Sequence, residues 1–137
     1  MTDDLTKCYY CGTTENVELH HCIHGNKENR NLSTQYHLLI PCCSYHHRSI
    51  NGIHGKYGQE KDLKLKAEAQ KAWEERRIKK GKSSPETVRN EWLDIFSIDY
   101  IKEFEEYIED CKKDLLDKEP DEKELEDLYN EISESKN

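Results

Sequence analysis

A Cys-x-x-Cys pair at Cys8 and Cys11, a Cys-x-x-His pair at Cys43 and His46, and two adjacent histidines at His20 and His21 open this chain of 137 residues. Zinc takes four tetrahedral cysteine or histidine ligands, and two such knuckles supply them as two bidentate pairs. Cys8, Cys11, Cys43 and His46 therefore read as a structural zinc site, with Cys42 an alternative to Cys43. His20, His21 and His47 are left for a different task. Hydrolysing a phosphodiester needs a base to deprotonate water and a cation to stabilise charge on the leaving oxygen. Neutral histidine can be that base, and it can also ligate that cation. All seven histidines and five of the six cysteines precede residue 55, which concentrates the chemistry there.

These side chains need elements to hold them. Val17, Leu19 and His21 alternate with Glu18 and His20, the period of a short strand. Residues 25–31 are polar and turn-rich and predict a loop. Leu38, Leu39 and Ile40 predict a second strand that pairs back on the first and is ended by Pro41. A helix starting near Ser44 would carry His46 and His47 in its first turn and stop by Asn51-Gly52 or Gly55. That hairpin, pinned by zinc, would set His20 and His21 opposite His47. Residues 60–80 are rich in good helix formers, with Leu65, Ala69, Ala72 and Trp73 on one stripe. Ser84 and Pro85 have the chemistry of an N-cap and a first helical residue, and Trp92, Leu93, Ile95 and Phe96 should pack back on the core. From Ile98, apolar residues recur every three or four positions through Leu115, until Pro120. A last helix is expected through Leu125, Leu128, Tyr129 and Ile132, while Cys22 and Cys111 read as packing residues.

Only 34% of residues are hydrophobic against 36% charged, so the core is small and a bound metal would add needed folding free energy. No apolar run approaches the roughly 20 residues of a membrane span, and the acidic start MTDDLTKCYY lacks the layout of a secretory signal. The expectation is a cytoplasmic chain with reduced thiols, its cysteines bound to metal rather than paired. The net charge of −8 is unevenly spread. Residues 1–101 hold 15 Lys/Arg and 14 Asp/Glu, whereas residues 102–137 hold 6 and 15. Such asymmetry suggests a nucleic-acid-facing part joined to an acidic extension. Nine basic against four acidic residues between Lys61 and Lys82 would suit a phosphate backbone.

The runs LHHCIHG, NRNLS, LLIPCCSYHHRSINGIHG and DLKLKAEAQKAWEE together resemble the HNH (ββα-metal) nucleases. The likeness is to a small phage-encoded group that reads E-x-H-H-x-F, N-R-K-L-S, L-C-x-x-C-H and N-G-V-H before an Ala-Gln-containing helix. NEWLDIFSIDYI resembles that group's closing segment, so the likeness covers about residues 7–101. It implies that His20 is a metal ligand, His21 the general base, and His47 the other metal ligand. The family's second knuckle is usually Cys-x-x-Cys, and its middle asparagine has no counterpart in register. Asn29, Asn31 or His37 could substitute for that asparagine. His24 and His54, each followed by glycine, are read as hydrogen-bonding residues outside the metal shell.

The fold expected is α+β, a zinc-stabilised ββα-metal (HNH) core over residues 1–101 with additional α-helices and a helical acidic extension over 102–137. The function expected is a metal-dependent endonuclease acting on DNA, phage or prophage encoded and working in the bacterial cytoplasm. Zn²⁺ would be structural, and Mg²⁺, Mn²⁺ or Ni²⁺ catalytic. A protein partner or self-association is expected through residues 102–137. The alternative is a binding or inhibitor module that uses those acidic helices, with catalysis weak or lost.

Overall fold

The computed structural model describes residues 1–81, 83–117 and 130. These form an α+β arrangement of two strands and five helices, β1 (Val17–His21), α1 (Lys27–Gln35), β2 (Leu39–Cys43), α2 (Ser44–Arg48), α3 (Gln59–Gly81), α4 (Pro85–Phe96) and α5 (Tyr100–Asp117). No helix among the described residues is long and apolar enough to cross a membrane. The chain divides into two compact units, Met1–Phe104 and Glu105–Asn137. The second contains the rest of α5 beyond Phe104. The helix expected through Leu125 and Ile132 lies outside the described residues.

β1 and β2 pair antiparallel, with Val17 opposite Cys43, His20 opposite Ile40 and His21 opposite Leu39. Paired residues share a face of the sheet and successive residues alternate between faces. His20 therefore shares a buried face with Ile40 and Cys42, while Leu19 and His21 lie on the other.

Two expectations need correcting. Residues 27–31 are not loop but the start of α1. Asn26 caps that helix by accepting the Asn29 N–H at 2.7 Å, and Ser33 is its one buried residue. A helix that buries so little has no apolar stripe to announce it. Nor does Pro41 end β2, which runs on to Cys43. In a two-stranded sheet each strand has an open edge, where the missing proline N–H costs no ladder bond. The carbonyl of Pro41 accepts the Tyr9 N–H at 2.8 Å, which ties the first knuckle to β2.

The core of the first unit gathers Ile23, Leu38 and Ile40 from the hairpin against Leu65, Ala69 and Trp73 of α3 and Trp92 of α4. Trp92 stacks on Phe96 at 3.9 Å and meets Trp73 edge-on at 5.5 Å. Ser84 caps α4 by accepting the Thr87 N–H at 3.2 Å. Gln70, fully buried, accepts the backbone N–H groups of Tyr100 and Ile101 through its side-chain oxygen. It thereby satisfies two of the donors left open where α5 begins. Its amide donates to Glu74 and Asp99. Cys22 packs in this core as expected, its thiol pushed up by burial.

Candidate functional site

Cys8, Cys11, Cys43 and His46 present ligand atoms that all lie within 4.8 Å of one another. Zinc bond lengths of about 2.3 Å to sulfur and 2.0 Å to nitrogen set tetrahedral edges of roughly 3.8 Å between sulfurs and 3.5 Å between sulfur and nitrogen. Here Cys11 Sγ and Cys43 Sγ are 3.8 Å apart, and His46 Nδ1 lies 3.7 Å from Cys8 Sγ and 3.2 Å from Cys43 Sγ. The four residues form a possible zinc-binding group. Gly12, at φ 75°, reverses the chain after the first knuckle and returns its N–H to the Cys8 carbonyl. Burial raises the Cys8 thiol, but the backbone N–H groups of Cys43, Cys11 and Tyr10 outweigh it and hold the thiol down to about 6. A thiolate is the form that binds zinc. Cys42 is excluded from the group by strand alternation: it faces the core, and burial pushes it up to about 12.

A second cluster lies on the other side of α2. His47, next to His46, turns its Nε2 toward His20 Nδ1 at 3.3 Å, close to the edge expected of two nitrogens on one tetrahedral ion. Its Nδ1 is 3.2 Å from Glu18 Oε2, a carboxylate also held by Arg48 at 2.8 Å. A carboxylate behind a ligating imidazole fixes its tautomer and leaves the far nitrogen free for metal. His20 is 2% exposed, and its Nε2 has no hydrogen-bond partner among the described residues. Burial first, then the fields of His24, His54 and His47, lowers His20 to about 3, so at neutral pH it is uncharged and offers the lone pair of one ring nitrogen. His20, His47 and His54 form a possible metal-binding group in which the Nδ1 of His20 faces His47, while its Nε2 is left without a partner.

His54 and His24, read from the sequence as hydrogen-bonding residues, lie beside this cluster. His54 groups with His20 and His47, at ring-centre distances of 4.9 and 4.7 Å. The loop after α2 folds back so that Ile53 and His54 donate their N–H groups to the carbonyls of His46 and His47. Gly55 permits this, since a Cβ there would overlap the carbonyl of Ser49. His24 groups with His20 and Asp62, its Nε2 2.7 Å from Asp62 Oδ1. Burial raises the Asp62 carboxyl, but hydrogen bonds from His24 and Lys66 outweigh it and hold it below the usual range. Asp62, on α3, heads the run DLKLKAEAQKAWEE but has no ligand spacing to mark it in the sequence.

His21 stands apart from both clusters. It nevertheless lines, with His20, His24, His47, His54 and Arg30, one open cavity of about 280 Å³. Burial, then Arg30 and His24, lowers its pKa. Of the three substitutes considered for an asparagine, Asn29 alone bonds into this loop, donating its amide to the His24 carbonyl at 3.1 Å. His37 lies at another cavity, in a left-handed conformation at φ 58°. Comparison with protein-family models, with curated proteins and with solved structures finds no match to this chain.

Proposed function

We propose that the chain is a metal-dependent endonuclease that hydrolyses DNA phosphodiester bonds, of the HNH (ββα-metal) type and of phage or prophage origin. The observation that carries this reading is the facing pair His20 Nδ1 and His47 Nε2, 3.3 Å apart and backed by Glu18, in a cavity that His21 also lines. His20, His47 and His54 would hold a divalent cation, which when bound supplies a Lewis acid for the leaving oxygen. Three imidazoles suit Ni²⁺ better than the oxygen-seeking Mg²⁺ or Mn²⁺. His21, kept uncharged by burial and Arg30, is the base that takes a proton from the attacking water. Arg30 offers its guanidinium to a phosphate oxygen at the rim of the same cavity.

The test is nicking of supercoiled plasmid in Mg²⁺, Mn²⁺ or Ni²⁺ beside a His21→Ala variant of equal zinc content. Cleavage by the wild type and its loss in the variant support the enzyme. An absence of cleavage in every metal refutes it and leaves the binding module. That second reading is favoured by Leu115 and Leu116, 71% and 66% exposed on the acidic part of α5.

A further inference from the structure

The geometry points to a second nucleic-acid contact, a cationic cleft that takes the phosphodiester backbone away from the imidazole cavity. A cavity of about 370 Å³ opens between the end of α1, the C-terminal half of α3 and the start of α4. Arg76, Arg77 and Lys80 line it, with Glu91 as its one carboxylate. Glu91 lies 3.8 Å from Arg77, whereas Arg76 and Lys80 have no carboxylate within ion-pair distance among the described residues. An uncompensated group of cations around a concave surface concentrates anions there.

The cleft is also built, rather than a chance gathering of lysines. Arg77 lies over the ring of Trp73, its guanidinium carbon 4.9 Å from the ring centre. Trp73 is itself buried and wedged between Tyr36 and Trp92. A guanidinium stacked on a fixed indole is held in place, and with its Nε toward Glu91 its terminal nitrogens face the cleft as donors for a phosphate oxygen. His37, held exposed by its left-handed backbone, forms the opposite lip.

Position gives the cleft its direction. A neighbouring cavity of about 310 Å³ shares His37 and Arg76 with it, reaches Leu39 and has Asp3 as its one lining carboxylate. Leu39 is the ladder partner of His21. A strand leaving His21 would cross Leu39, pass His37 and meet Arg76, then Arg77 and Lys80. Phosphate contacts of this kind hold and orient a duplex without reading its sequence. This direction rests on the nuclease reading; the anion-binding character of the cleft does not.

The experiment compares two variants of the full chain, each losing two exposed cations from α3. Arg76→Gln with Lys80→Gln removes two of the cleft's three cations, and Lys64→Gln with Lys71→Gln removes the same charge outside its lining. Binding of a short fluorescein-labelled DNA duplex is followed by anisotropy over a range of salt. Each lost phosphate contact lowers the slope of log affinity against log salt by about 0.9. The cleft variant should therefore lose about 1.8 in slope and the control pair little. Hydrolysis of bis(p-nitrophenyl) phosphate, too small to span the cleft, should be the same in both variants as in the wild type. Equal slope losses in the two variants would overturn the cleft, as would a wild type that does not bind the duplex. Binding with the expected slope difference but no hydrolysis would keep the cleft and sink the nuclease.

Discussion

His20 makes the hairpin acid-sensitive. Its imidazole is held uncharged down to about 3, whereas in the unfolded chain it protonates near 6.5. Below that unfolded value the unfolded state binds the extra proton, so stability is complete above it and falls as pH drops toward the folded value. Between about pH 7 and pH 5.5 one such group removes about 1.3 kcal/mol. Acid also protonates thiolates, so the informative quantity is a difference between proteins. Zinc-loaded wild type and His20→Leu are unfolded in urea at both pH values. The wild type should lose about 1.3 kcal/mol more than the variant over the interval, because leucine fills the buried site without titrating. Saturating Ni²⁺ should raise the wild-type midpoint at neutral pH and leave that of His20→Leu in place. Equal losses in the two proteins would refute the reasoning that burial, rather than zinc release, sets the acid sensitivity of this site.

Three other outcomes are expected. Cys8→Ser should abolish the tightly bound zinc, measured by elemental analysis, and with it the native circular dichroism, because a small zinc domain draws much of its folding free energy from the metal. Gln70→Ala should cost about 2–3 kcal/mol in urea denaturation, since it strands the buried Tyr100 N–H and takes a donor from the buried Glu74 and the half-buried Asp99, leaving Arg89 to hold both. Truncation after Phe104, where the first compact unit ends, should leave a folded, zinc-loaded domain. Its DNA affinity should equal or exceed that of the full chain at low salt, with the gain shrinking as salt screens the removed acidic charge.

The knuckles were legible because x-x spacing is a local signal, and strand alternation then decides between Cys42 and Cys43. The long helices were legible for a similar reason, since Leu65, Ala69 and Trp73 recur with the helical period and Ser84-Pro85 carries its own capping chemistry. α1 escaped notice because a cap at Asn26 and one buried serine leave no apolar periodicity. His54 groups with His20 and His47 only through a loop closing over the end of α2, which Gly55 makes possible but spacing cannot specify. Asp62 and Gln70 read as ordinary polar residues of a charged helix. Their roles exist only once α3 has been laid against the hairpin and the start of α5.

The five-residue α2 feeds both clusters from adjacent positions. His46 and His47 differ by about 100° around the helix, and that angle alone sends one imidazole to the cysteines and the other to His20 and Glu18. The reading frame of this short stretch therefore decides which side chain each cluster receives. Deleting Ser44 would slide His47 into the place of His46, and the cysteines would keep a full ligand set. Arg48 would then arrive beside His20, a guanidinium where an imidazole had been. The same slide would bring Lys56 to the place of Gly55, where a Cβ overlaps a backbone carbonyl, so the loop that closes over α2 would have to open.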